Sequence, residues 1–355
     1  MSRSVLLAIA LVFTVLAIAC GGDGDGAAPD AAGTTAIESP TAGPAVAAVA
    51  PRPSSGCSEA TSPAGVSEKT LTVGADTGMY RQLVPSAAAE MKPLPLIIDI
   101  HGLGATVEKV ALGHDFETLG EQQGAFVLTP NGVGPASASG NNSPEFLKAL
   151  LDASEQRLCI DTARVFMGGM SWGARVTSTV GCQLADRIAA IGAVSGVVFD
   201  ATCQLARPLP VVIFHGKLDT SVQYYGGIGY SVTHPGERAP TPPTAPPADT
   251  QGFPPVEPVV AQWAAANGCA AEPEATQVAE HVERRSFLGC AEGSAVEFYV
   301  ISDGQHAWPG ADLETFNQIC PGCLVTGIQP TQEIKATRLL WDFWMRHPLV
   351  AHQGD

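Results

Sequence analysis

The chain has 355 residues, with 35 acidic against 19 basic side chains and a formal net charge of −16, a balance that excludes the Lys and Arg clusters on which nucleic-acid binding depends. Residues 1–19 carry +1 and residues 20–55 carry −3, which leaves −14 on residues 56–355, so the acidity belongs to the folded part and disfavours anionic lipids and polymers as partners. At 45% hydrophobic and 15% charged residues the chain is too apolar for disorder and ample for a large core.

The N-terminus sets one cation, Arg3, before an apolar run of fifteen residues, Val5 to Ala19. As a helix that run spans about 22 Å, short of the ~20 residues a bilayer core takes, so it reads as a secretory signal. Leu16 to Cys20 (LAIAC) resembles the lipobox of bacterial lipoproteins, with Ala17 where leucine is usual. The resemblance implies a signal peptide of residues 1–19 and a lipid on Cys20; the alternative is an ordinary signal peptide cut nearby. Gly21 to Ser55 is rich in Gly, Ala, Pro and Thr with no aromatic residue, so residues 20–55 read as lipidated cysteine plus flexible tether, with an end-to-end distance of roughly 30–35 Å. Eight further cysteines in an exported chain predict up to four disulfides. Short local loops pair Cys182 with Cys203 and Cys269 with Cys290. Cys320 and Cys323 form a CPGC pattern without a second metal-ligand pair or a thioredoxin-like setting, so a structural bridge is expected there.

From Lys69 onward, strands and helices alternate in the manner of an α/β domain. The predicted strands are residues 71–73, 80–84, 94–100, 125–129, 164–168, 188–194, 210–215 and 296–301. Several are continuous apolar runs, which marks strands covered on both faces of a mainly parallel sheet. Predicted helices cover residues 109–123, 144–157, 172–184, 256–267 and 331–347. Residues 135–143 read as a loop, and 233–255 carry eight prolines and no periodicity. Neither stretch supplies a second core, so residues 56–355 read as one catalytic domain, for which a monomer is favoured.

Gly169, Met170, Ser171, Trp172 and Gly173 match G-x-S-x-G between a predicted strand and a predicted helix. A serine nucleophile needs a strained turn that exposes its Oγ, and glycines two residues away on either side let strand and helix approach. In this arrangement an acid and then a histidine follow the serine. Of the five histidines after the acid candidates (His234, His281, His306, His347 and His352), His306 alone follows a strong strand and stands in a tight loop, SDGQHAWPG. Asp219, after the strand ending at His215, is the expected acid, with Asp200 as runner-up; Asp186 precedes its strand and Asp303 reads as a turn residue. The oxyanion donors are expected to be the backbone N–H groups of Trp172 and of Leu103, within His101-Gly102-Leu103-Gly104. His101 and His215 read as structural.

These motifs together resemble the poly(3-hydroxybutyrate) depolymerase and feruloyl esterase group of secreted α/β-hydrolases, including its lipoprotein-type members. The resemblance rests on DIHGLG, RVFMGGMSWGA, FHGKLD followed by YYGG, VAQWAAANGC and GQHAWPG, in order from Tyr80 to His347. It implies Ser171, Asp219 and His306 as triad, an ester substrate and no metal or cofactor, and it tilts Tyr224 and Tyr225 towards the cleft rim. Trp172 reads equally as an acyl-pocket wall and as packing beneath the turn. Ala174 stands where the group often has glycine, and the loop of residues 135–143 lacks its usual tryptophan. Two other readings remain at this level: a serine peptidase on the same fold, and a solute-binding lipoprotein without catalysis.

Overall fold

Apolar runs without alternation need cover on both faces. In the computed structural model, which describes residues 49–59, 62–133, 142–227, 229, 252–324 and 327–350, they form the centre of a ten-stranded sheet. The strands are β1 (Gly65–Val73), β2 (Asp76–Val84), β3 (Leu94–Ile100), β4 (Phe126–Val133), β5 (Ile160–Met170), β6 (Ala190–Val194), β7 (Val211–Gly216), β8 (Glu274–Ala279), β9 (Val282–Phe287) and β10 (Val296–Ile301). Their order across the sheet is β1-β2-β4-β3-β5-β6-β7-β10-β9-β8. From β4 to β10 each strand is parallel to its neighbour, and an antiparallel pair finishes either edge. This is an α/β-hydrolase sheet.

The helices are α1 (Val107–His114), α2 (Phe116–Gln123), α3 (Pro144–Arg157), α4 (Trp172–Gln183), α5 (Val256–Ala266), α6 (Leu313–Ile319) and α7 (Ala336–Arg346). Successive strand residues point to opposite faces, and β3 divides accordingly. Leu96, Ile98 and Ile100 pack in the core that holds Leu147 and Leu150 of α3, Val180 of α4 and Trp263 of α5. Ile97 packs on the other side with Phe116 of α2 and Trp344 of α7.

The structure departs from the sequence expectations in four places. The helix expected over 109–123 is two helices, because Asp115 adopts the left-handed conformation at φ 58°, which short polar side chains tolerate better than most. The β8–β9 hairpin was not foreseen, because β8 is almost wholly exposed and carries no apolar alternation. Helix α6 is short, and its signal is the Asp312 side chain, which accepts from the Thr315 N–H at 2.9 Å. The folded unit also begins before residue 56. The Arg52 N–H donates to Asp161 Oδ1 at 2.8 Å, Pro53 bridges Asp161, and Arg164 reaches the Val49 carbonyl at 2.9 Å.

The eight cysteines of the described region form Cys57–Cys159, Cys182–Cys203, Cys269–Cys290 and Cys320–Cys323. The first closes a loop over 102 residues and ties the N-terminal segment to β5. In chain-entropy terms a loop of that length contributes about 4.7 kcal/mol. Cys20, the signal segment, residues 134–141 and residues 230–251 lie outside the described residues. Among the described residues no helix is long and apolar enough to cross a membrane.

Candidate active site

Ser171 stands between β5 and α4 at φ 59° and ψ −123°, a conformation that costs a non-glycine residue roughly 1–3 kcal/mol. The turn survives because its surroundings fix it. The Ser171 N–H donates to the Val194 carbonyl at 2.9 Å. A Cβ on Gly173 would lie 2.2 Å from the Ile100 carbonyl oxygen, and one on Gly169 would lie 2.7 Å from it. Only glycines let the end of β3 press against both sides of the serine turn. Gly102 follows the same strand, and a Cβ there would be 3.4 Å from Ser171 Cβ, so the HGLG loop passes directly beside the nucleophile.

Asp219 and His306 arrive from the ends of β7 and β10, which are parallel neighbours. His306 Nδ1–H donates to Asp219 Oδ2 at 2.8 Å. The other oxygen, Oδ1, accepts the backbone N–H groups of Ser221 and Val222, each at 2.8 Å. Asp219 has no exposed surface. Burial alone would raise its pKa, but the charge and hydrogen bond of His306, with His215 and the Val222 N–H behind them, outweigh burial and hold it below the usual carboxylate range. His215 is buried, donates through Nε2 to the Val222 carbonyl at 2.8 Å, and lies 3.7 Å from Asp219 Oδ2. Burial pushes its pKa down, so it braces the Asp219 loop as a neutral ring.

Ser171 and His306 line one cavity of about 160 Å³. Its apolar walls include Leu103, Val110, Met170, Ala311, Phe316 and Ile319. Leu103 is an exposed residue of the loop between β3 and α1, at 62%. Trp172 is the first residue of α4, where backbone N–H groups lack intrahelical partners. Its side chain is 37% exposed and stacks against Arg175, whose guanidinium carbon lies 5.5 Å from the Trp172 ring and 5.6 Å from the Phe253 ring. Tyr224 is not at the rim. It is 2% exposed, edge-on to His215, and its hydroxyl donates to Glu257, because the core between α5 and β10 takes the ring. Tyr225 packs against it at 5.2 Å, partly buried.

The remaining sequence candidates fall elsewhere. Asp200 is exposed and accepts the N–H and hydroxyl of Thr202, which makes it a turn residue. Asp303 lies 3.8 Å from His281, which Glu333 already engages at 2.5 Å. Glu280, His281 and Glu333 form the one cluster among the described residues whose ligand atoms lie within 4.8 Å of one another, and it is remote in kind from the triad, with its histidine and Glu333 already paired. His347 is half-buried against Phe343, and desolvation pushes its pKa down to about 4. His101 is fully buried with Nδ1 2.8 Å from the Gly102 carbonyl, in the loop beside Ser171. His234 and His352 lie outside the described residues.

Sequence reasoning passed over a second pair, whose histidine lines the same cavity. Asp99 of β3 and His114, the last residue of α1, share a 2.6 Å hydrogen bond between Oδ1 and Nδ1, and His114 lines the cavity with Ser171. The indole of Trp308, two residues after His306, stacks on His114 with ring centroids 3.7 Å apart. The sequence signal was an aspartate inside an otherwise apolar strand, LPLIIDI.

No family model matches the chain. The chain is similar to feruloyl esterase B of Piromyces equi, 27% identical over 242 residues that cover 63% of this chain and 41% of that protein. It is also similar to feruloyl esterase D of Neurospora crassa, 26% identical over 188 residues that cover 50% of this chain and 64% of that protein. The chain thus spans less than two thirds of the length of these curated relatives. Among solved structures, an acetyl xylan esterase from Aspergillus awamori aligns at a TM-score of 0.47 and 16% identity, covering 68% of this chain and 94% of that one.

Proposed function

We propose that this protein is an exported serine esterase that cleaves hydroxycinnamoyl-type carboxylic esters through an acyl-enzyme. The observation that carries the reading is the part-buried His306–Asp219 hydrogen bond at 2.8 Å, whose histidine lines the cavity that Ser171 also lines. Ser171 Oγ attacks the ester carbonyl while His306 Nε2 takes its proton. Asp219 holds the ring in the Nδ1–H tautomer and stabilises the imidazolium that forms. The N–H groups of Leu103 and Trp172 are the donors for the tetrahedral oxyanion. His306 then protonates the departing alcohol, and a water activated by the same ring frees the acid. The apolar walls suit an aromatic acyl group, and the similarity to proteins named feruloyl esterases supports that choice. Four disulfides support export. A lipid on Cys20 is the proposed anchor, with the following residues as tether and the neutral ester as partner.

Purified wild type and Ser171→Ala protein, compared on methyl ferulate, a 3-hydroxybutyrate oligomer, acetylated xylan and a peptide amide, test the reading. Ferulate release should dominate and fall by about 10⁴-fold or more in the variant, with loss of fluorophosphonate labelling. Undiminished hydrolysis by Ser171→Ala would overturn the mechanism, and amide cleavage without ester cleavage would overturn the reaction class.

A further inference from the structure

The triad leaves one polar pair, whose histidine lines its cavity, without a task. Asp99 has no exposed surface, and its Oδ2 is buried without a hydrogen-bond partner among the described residues. Its sole side-chain partner among the described residues is His114, itself 5% exposed. Placing a carboxyl and an imidazole in an apolar layer is unfavourable unless their hydrogen bonds are completed. Apolar residues would hold α1 against β3 as well. His114 instead stands in the cavity wall, with its ring fixed on two sides and its backbone on a third. Nδ1 is engaged by Asp99, one face is stacked on Trp308, and the backbone carbonyl accepts the Thr337 hydroxyl at 2.5 Å. The atom left over is Nε2, which has no hydrogen-bond partner among the described residues, in a residue that lines the same cavity as Ser171 and His306.

We infer that His114, oriented by Asp99 and Trp308, is a specificity-determining residue that binds a hydroxyl group on the acyl part of the substrate. A hydroxyl fits Nε2 in either state of the pair, because it accepts from an imidazolium N–H and donates to the lone pair of a neutral ring. Val110, Met170, Ala311, Phe316 and Ile319 offer such a hydroxyl only apolar surface, and the ammonium of Lys109, which also lines the cavity, is engaged by the Ile319 carbonyl at 3.1 Å, so a bound acyl group lacking the hydroxyl leaves Nε2 dry and unpaired, and that loss supplies the discrimination. The inference deepens the esterase reading and rests on it. The shared chemistry has two sources, a phenolic hydroxyl on an aromatic acyl group and the 3-hydroxyl of an aliphatic one.

Binding separates this inference from catalysis. Ser171→Ala protein is titrated calorimetrically with methyl 4-hydroxycinnamate against methyl cinnamate, and with ethyl 3-hydroxybutyrate against ethyl butyrate. In one of the two pairs the hydroxylated ester should bind at least about tenfold tighter. Adding His114→Phe, which keeps a ring for Trp308, should bring that ratio to about one, and His114→Gln, which restores a hydrogen-bonding terminus, should recover part of it. The pair that responds identifies the source. No preference in either pair, or a preference that survives His114→Phe in a protein with unaltered circular dichroism, overturns the inference. Failure of the esterase reading registers separately, as hydrolysis by the Ser171→Ala protein.

Discussion

Asp219 and Asp99 are both carboxylates without exposed surface, and both are hydrogen-bonded to the Nδ1 of a histidine that lines one cavity, yet their surroundings treat the charge in opposite ways. Asp219 sits in a loop at the end of β7 where two backbone N–H groups fill one oxygen and His306 fills the other. Asp99 sits within β3, whose backbone groups are committed to β4 and β5, and one of its oxygens is unpartnered among the described residues. The result is a pKa held down at Asp219 and pushed up at Asp99, where burial outweighs the pull of His114. A loop supplies convergent N–H donors and a strand interior does not. That difference suits the first pair to stabilising a transient imidazolium and the second to steady recognition of a neutral polar group.

The largest separation between the pairs is expected in turnover. Asp219→Asn should lower kcat by about 10⁴-fold, because the amide favours the wrong tautomer of His306 while leaving its position intact. Asp99→Asn should act mainly on KM for a hydroxylated ester, by about tenfold, with a smaller change in kcat. Steady-state kinetics on methyl ferulate and methyl cinnamate measure both. Equal losses of kcat would mean that the two pairs share one role and would break the comparison.

The first pair was easier to read from sequence than the second for a physical reason. Ser171, Asp219 and His306 each follow a strand that the sequence marks by its largely apolar run, and catalytic side chains collect at those strand ends, so order and position suffice to nominate them. His114 is the last residue of a short helix, and its relation to Asp99 and Trp308 is created by packing α1 and the His306 loop over β3. Tyr224 failed for the same kind of reason. Its partner Glu257 approaches from α5 and is itself held by Arg285 of β9, and nothing local in YYGG shows which tyrosine turns inward. The β8–β9 hairpin was illegible because an exposed edge strand needs no apolar pattern. The parallel strands were legible because burial on both faces writes itself into every residue.

The opposite pKa directions predict opposite pH slopes of stability. Asp219 lies below the ordinary value of 3.8, so its contribution is present above that value and is lost as pH falls through the folded-state pKa. Asp99 lies above 3.8, so its contribution is present below that value and is lost as pH rises through the folded-state pKa. Between about pH 3 and about pH 6, the Tm advantage of wild type over Asp219→Asn should therefore widen. Over the same climb its advantage over Asp99→Asn should narrow. Thermal denaturation at intervals across that range decides the matter, and slopes of the same sign would show that the environments are not opposed.

The smallest expected effect tests the link between the pairs. Trp308 follows His306 by two residues, stacks on His114 at 20° between ring planes, and donates from Nε1 to Thr337 Oγ1 at 2.9 Å. Thr337 in turn donates to the His114 carbonyl. Trp308→Phe keeps an aromatic face for the imidazole but removes the N–H and part of the ring area. Stability should fall by about 1–2 kcal/mol, and KM for the hydroxylated ester should rise about two- to fivefold as His114 loosens. The turnover number should fall by less than KM rises, because Asp219 and its backbone donors hold His306 from the other side. A fall in kcat that exceeds the rise in KM would assign the indole to His306 instead, and would make the stack on His114 incidental to recognition.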